Sequence, residues 1–301
     1  MSINYVNQFT VQYSANVALL LQEEGYKLRG KVMTGTHTGE GASPVNQVGA
    51  VTMRDVENRG APKIVTNAAH TRRWVYPIDK ILDQQIDKFD TLKTIVDVKS
   101  PYAVNASMAA GRAMDDIIID AAFADAKTGK TGTGTESFNT TASTSGGASV
   151  VVGFGASGDV GLTVAKMIEA KRVMRAAFVD LEREARTMVI GSKQESNLLN
   201  QTQVVSTDFN DRPVLVDGNI SKFMGWNFII SERLDTPTAA DERACIAFVQ
   251  SGMYLGIWED VQSDAHQRFD LEANPWELTT TMSIGATRLE QFKVVRVVCQ
   301  E

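Results

Sequence analysis

Residues 31–78 constrain the fold most, because this long stretch carries neither a helical period nor enough apolar surface to stand alone. Gly35, Gly39, Gly41, Pro44, Gly60 and Pro62 punctuate it. Two segments alternate in the manner of strands, Asn46-Gln-Val-Gly-Ala-Val-Thr-Met and Arg72-Arg-Trp-Val-Tyr-Pro-Ile. In the second, Arg72, Trp74, Tyr76 and Ile78 share one face, with Arg73 and Val75 on the other. A polar excursion of this length inside a compact domain usually serves a function. Two strands so poor in apolar surface imply a hairpin that lies on a neighbouring molecule.

Helical signals flank the excursion. Phe9, Val11 and Tyr13 alternate as in an extended arm, and Ala15-Asn-Val-Ala-Leu-Leu-Leu-Gln-Glu-Glu then reads as a short helix ending at Gly25. After Pro77, the spacing of Ile78, Ile81/Leu82, Gln85/Ile86 and Phe89 predicts an amphipathic helix. Asp79, Asp83 and Asp87 recur every fourth residue on its adjoining face. Such carboxylates are usually solvated; they could also hold a cation, or meet arginines from another copy's hairpin. Ser100 is a good N-cap and Pro101 suits a first turn, and from Tyr102 to about Ala126 only Gly111 interrupts good helix formers. A helix of that length runs roughly 36 Å.

Residues 127–160 are rich in Gly, Ser and Thr and read as loops or hairpins. A helix follows from Thr163 to about Phe178, then a short strand at Thr187–Gly191 and a short helix from Ser192. From Phe223 onward the pattern is β, and Lys293-Val-Val-Arg-Val-Val-Cys, apolar on both faces, reads as an interior strand. The class is α+β, without βαβ alternation or tandem repeats.

Composition narrows the function classes. No apolar run approaches the ~18 residues of a membrane span, and the N-terminus lacks a secretory pattern, so the expectation is a protein that stays in the cytoplasm where it is made. Cys245 and Cys299 lie in apolar strand-like runs and are expected as buried free thiols. His37, His70 and His266 show no ligand spacing with them, so no metal and no cofactor is expected. The net charge of −6 argues against a protein that grips nucleic acid through its phosphates.

Two motifs imitate nucleotide sites. Gly153-Phe-Gly-Ala-Ser-Gly158 follows an apolar run, precedes a helix and has Asp180 some twenty residues on, as a dinucleotide enzyme requires. However, Gly158-Asp-Val-Gly161 delays the helix start that should face the pyrophosphate, and no strand precedes Asp180. Gly129-Lys130-Thr131 imitates a phosphate loop, but Ala124 stands where its first glycine belongs. No histidine is placed with a nucleophile and an orienting acid, so no catalytic residues are expected.

Several segments, in order, resemble tailed-bacteriophage major capsid proteins: Arg54-Asp-Val-Glu-Asn-Arg-Gly, His70-Thr-Arg-Arg-Trp-Val, Ile78-Asp-Lys-Ile-Leu-Asp and Ser100-Pro-Tyr-Ala. Gly111-Arg-Ala-Met-Asp-Asp-Ile-Ile-Ile, Gly161-Leu-Thr-Val, Gly218-Asn-Ile-Ser-Lys-Phe-Met-Gly-Trp and Gly285-Ala-Thr-Arg continue the match over nearly the whole chain. The resemblance implies an α+β Hong Kong-type capsid fold. Its parts would be an N-terminal arm (1–30), an extended β-hairpin loop (31–78), a peripheral domain with a long spine helix (79–130 and 264–288) and an axial domain (131–263 and 289–301).

It further implies a non-enzymatic subunit that forms pentamers and hexamers and an icosahedral shell enclosing phage double-stranded DNA. Such shells assemble in the host bacterial cytoplasm and mature from a rounder procapsid. Portal and decoration proteins are implied partners. The start of the chain is too short for the scaffolding segment of some relatives, so a separate scaffolding protein is expected. Lys31 and Lys63 lie in the loop, but nothing indicates the covalent cross-linking that some relatives use. Arg54, Arg59, Arg72 and Arg73 are expected to pair with carboxylates of a neighbour, Asp79, Asp83 and Asp87 among them. The same fold serves encapsulin nanocompartments, and the rival of a different class is an enzyme built on Gly153–Gly158.

Overall fold

A computed structural model describes residues 22–55, 58, 60, 62–86, 99–201, 220, 222–236, 241–272 and 274–301. The expected helix from Ala15, together with Arg59 and Asp87, lies outside these residues. Among the described residues, three sheets and three α-helices make up the fold.

The first sheet has the order β1 (Met33–Thr36), β12 (Met253–Gln267), β13 (Trp276–Arg288), β4 (Ile78–Ile86). β12 and β13 form a long hairpin whose near half is buried and whose far half runs out into solvent. α1 (Lys99–Phe123) packs on this sheet, chiefly on β13. It begins one residue before the expected cap and ends three residues before Ala126.

β4 corrects the helix expected over Ile78–Phe89. Its nine residues pair antiparallel with β13, from Ile78↔Ile284 to Ile86↔Trp276. The sequence Ile-Asp-Lys-Ile-Leu-Asp-Gln-Gln-Ile satisfies both periods. Its spacing of three and four fits a helix, and its alternation sets Leu82 and Ile86 against Ile81 and Asp83. The unpaired ladder of β13 decides between them, since local propensity is weaker than nine residues of strand pairing.

The second sheet has the order β7 (Ser149–Val150), β14 (Val294–Gln300), β11 (Glu242–Val249), β8 (Arg186–Ile190), β10 (Trp226–Ile230), β9 (Lys222–Phe223). β14 lies inside it, which explains its valines on both faces. α2 (Val164–Ala176) turns Met167, Ala170 and Met174 inward and packs on β14, and its first turn is capped by the Thr163 hydroxyl, which accepts from Lys166 N. α3 (Ser192–Leu199) follows β8. One continuous core joins Met114, Ile118, Met174, Met188, Trp226 and Phe248. Cys245 and Cys299 are free and buried within it.

The third sheet has the order β2 (Ala42–Val48), β3 (His70–Val75), β5 (Ala126–Thr128), β6 (Gly134–Glu136). It is the expected extended hairpin, widened by a second hairpin from the low-complexity stretch. Gly129-Lys130-Thr131 forms the turn of that second hairpin, where Trp74 Nε1 donates to Gly129 O at 2.7 Å. Gly153–Gly158 is a run of turns, and α2 opens six residues past Gly158. Neither glycine motif presents a helix N-terminus to a phosphate. No described helix is long and apolar enough to cross a membrane.

Candidate assembly surfaces

The hairpin is rooted by a buried polar junction. Alternation along β3 turns Arg73 and Val75 inward and leaves His70 and Thr71 exposed, with Arg72 and Trp74 half-buried. Arg73 is buried; its Nε donates to Leu289 O at 2.7 Å and its guanidinium lies 2.6 Å from Glu136 Oε2. Gln47 Nε2 donates to the same Leu289 carbonyl at 2.8 Å. Beside them Arg288 donates to Ala122 O and Ala124 O, both at 2.9 Å, and to Glu136 O at 3.1 Å. These are free carbonyls at the end of α1 and in β6, so one side chain ties helix, strand and hairpin together. Its guanidinium lies 5.1 Å from the Phe138 ring centroid. Burial first, and the charge of Arg73 second, push Arg288 down to about 10, against an opposing pull from Glu136. It stays charged at neutral pH.

A glycine decides how the chain leaves the junction. Between β3 and β4 the backbone crosses β13 at Gly285, where a β-carbon would come within 2.1 Å of Tyr76 O. Gly285 therefore permits the step from one sheet to the other.

Beyond the junction the hairpin is open to solvent. Arg72 Nε donates to Asn46 Oδ1 at 2.7 Å, and the guanidinium sits 6.0 Å from the Trp74 ring centroid. Val48, Val51, Met53, Ile64 and Val65 are exposed on the hairpin and the loop closing it, Met53 completely. Arg54 is exposed on the same loop. On the outer face of β4, Asp79 and Asp83 flank Ile81, which is 66% exposed. Asp79 Oδ1 accepts from Ser283 Oγ at 2.6 Å. The other face of β4 and the first turns of α1 enclose a shallow groove of small and apolar side chains, among them Leu82, Ala106, Ala109 and Met282.

The expected arginine set thus divides. Arg72 and Arg54 face outward, whereas Arg73 is consumed inside its own subunit, a departure from the expectation of a neighbour's carboxylate. Asp79 and Asp83 share one face as expected, but on a strand. Glu136 and Arg288 escaped the sequence reading. The only signal was an arginine closing the otherwise uncharged run Leu278–Thr287.

His37 Nε2 lies 2.7 Å from Tyr254 Oη, beside Trp258. His266 lies in β12, 3.5 Å from Glu277, and His70 is exposed at the start of β3. Among the described residues, no group of three His, Cys, Asp or Glu side chains could hold a metal ion.

The profile of the phage capsid protein family matches residues 6–301. No curated protein matches the sequence. Among solved structures, the chain is similar to the capsid of cyanophage Pam1 (TM-score 0.75, 14% identity, 98% of this chain and 97% of that one). It is also similar to the capsid of cyanophage P-SCSP1u (0.70, 15% identity, 98% and 94%) and to Mycobacterium phage Che8 (0.67, 14% identity, 97% of each). At these identities the likeness establishes the fold, and the family match over nearly the whole chain establishes the rest: this chain belongs to the phage capsid protein family and is a structural protein of the virion.

Proposed function

We propose that this chain is the major shell subunit of a tailed phage, forming rings of five and six that close into an icosahedral container for double-stranded DNA. Residues 1–30 act as the arm and 31–78 as the extended loop. Residues 79–130 with 264–288 form the peripheral domain, and 131–263 with 289–301 the axial domain. Assembly takes place in the host cytoplasm on a separate scaffolding protein, and portal and decoration proteins complete the particle. The DNA is enclosed without sequence-specific binding, in keeping with a net charge of −6.

The observation that carries this reading is the row of exposed apolar side chains on the hairpin loop, Val51, Met53, Ile64 and Val65. A monomer leaves this surface in water, whereas a neighbour covers it and gains about 25 cal/mol for each Å² removed. Arg54 and Arg72 then meet Asp79 and Asp83 of the next copy. Each exposed pair contributes only ~0–1 kcal/mol, so early contacts stay reversible and errors are corrected.

The test is Arg54→Glu with Arg72→Glu, followed by circular dichroism and negative-stain electron microscopy beside the wild type. Folded subunits without shells are expected from the variant. Normal shells from it would sink the pairing, and a wild type that forms neither rings nor particles even when co-expressed with its scaffolding protein would sink the shell reading. Particles filled with a cargo enzyme would place the chain with the nanocompartments.

A further inference from the structure

The outer stripe of α2 stands apart from the hairpin and carries an unusual mixture. Ile168, Lys171, Arg172 and Arg175 recur at helical spacing, and Phe178 follows at the helix end. Ile168 is 52% exposed and Phe178 97%. Phe178 has a φ of +62°, a conformation that L side chains rarely adopt. Met224, on the turn joining β9 to β10, closes a broad hollow with this stripe. The next residue, Gly225, is left without a side chain because the Arg186 guanidinium lies against it, where a β-carbon would sit 2.3 Å from Nη2.

Arg172 is neutralised by Glu169, with two contacts of 2.7 Å. Lys171 and Arg186 have no ion pair among the described residues, and Arg175 has only a contact of 3.9 Å to the exposed Glu182. Arg186 Nε is buried without a hydrogen-bond partner. Burial, and then Arg186 and Arg175, lower the pKa of Lys171. This positive patch with apolar flanks is incomplete in a chain whose net charge is −6.

A complementary patch lies at the other end of the same sheet. β8 and β10 run parallel from Arg186 and Trp226 to Ile190 and Ile230, about 13 Å away by strand rise. Beyond that end, Arg233 pairs with Asp116 of α1, and Asp120 and Asp235 are exposed, with no ion pair to either among the described residues. Burial, Asp116 and Asp235 together raise the pKa of Asp120, against a smaller opposing pull from Lys80. Patches at opposite ends of one sheet cannot meet within a chain, but they meet head to tail between copies, which is the geometry of a closed ring.

We infer that the α2 stripe of one copy, Lys171, Arg175 and Arg186 framed by Ile168, Phe178 and Met224, docks on Asp120 and Asp235 of a second copy. The inference rests on the shell-subunit reading and adds a ring contact separate from the hairpin. Apolar side chains flanking the cations favour a protein surface over a phosphate backbone.

The test uses two charge-reversed chains: Lys171→Glu with Arg175→Glu, and Asp120→Lys with Asp235→Lys. All four side chains are at least partly exposed, and thermal melts verify folding. Each variant alone is expected to lose ring assembly by at least about tenfold, because like charges then face each other. Mixed in equal amounts, the two restore rings, because every contact again pairs opposite charges. Alternation permits six-membered rings and forbids five-membered ones, so electron microscopy should find hexamers without pentamers. Rings from either variant alone, or no rescue on mixing, overturn this contact and leave the shell reading standing. A wild type that stays monomeric when co-expressed with its scaffolding protein overturns both.

Discussion

Gly25 and Gly111 cross in direct backbone contact: a β-carbon on Gly25 would sit 2.1 Å from the carbonyl carbon of Gly111. The segment entering the fold is thereby pressed flat across the middle of α1. Four residues on, the buried Asp115 accepts from the backbone N–H groups of Lys27 and Leu28, each at 3.1 Å. Burial raises the Asp115 pKa, and the two N–H donors pull it back down. The crossing explains why the helix tolerates a glycine at its centre.

Alanine at either glycine therefore separates packing from helix propensity. Gly111→Ala gains up to ~1 kcal/mol of propensity, which offsets part of its contact with the Tyr26 ring at 2.6 Å and the Gly25 α-carbon at 3.0 Å. Gly25→Ala meets backbone that cannot shift, and is expected to cost ~1–3 kcal/mol. Urea midpoints should rank Gly25→Ala well below Gly111→Ala. Equal midpoints would mean the crossing is looser than described.

Arg288→Met is expected to be among the most damaging substitutions in the first sheet. It leaves the buried carbonyl of Ala122 without this donor, at ~1–3 kcal/mol, and the part-buried carbonyls of Ala124 and Glu136 to water. Hydrogen exchange should then rise at the end of α1 and in β5 and β6 before the second sheet responds. Uniform exchange across the molecule would argue against a local anchor.

Phe178→Gly should stabilise the isolated subunit. Val179 N bonds back to Met174 O at 3.1 Å, the pattern of a helix end that favours glycine in the left-handed position. Relief of the positive φ is worth roughly 1 kcal/mol, a few degrees in melting temperature. The same change should weaken ring assembly, because it removes an exposed apolar anchor. A lower melting temperature would contradict the strain.

Acid should loosen α2 through Glu169. The Arg172 guanidinium, and then Ser143, hold this carboxyl below its ordinary value of 4.5, against a smaller rise from burial. A depressed folded pKa gives stability that is present above the ordinary value and lost as pH falls through the folded one. Glu169→Gln is expected to cost less than ~1 kcal/mol at neutral pH, since Arg172 is half exposed. Its urea midpoint should then fall less steeply than the wild type's below about pH 4.5. Parallel pH profiles would remove Glu169 from the acid response.

By itself the sequence determined the elements whose signal is local: the hairpin within 31–78, the long helix with its single glycine, the helix capped by Thr163, and the interior strand Val294–Gln300. Period, capping and turn chemistry act within a few residues, so they are written in the chain. The order of family segments likewise pointed to the capsid fold. Tertiary structure alone decided Ile78–Ile86, which fits two periods and becomes a strand because β13 offers a ladder. It also decided that Arg73 turns inward to Glu136 and Leu289 while Arg72 turns outward, and that Gly25, Gly111 and Gly285 mark backbone crossings. Those outcomes depend on partners 26 to 216 residues away in the chain, as for Asn46 with Arg72 and Leu289 with Arg73. No local pattern encodes which distant segment arrives.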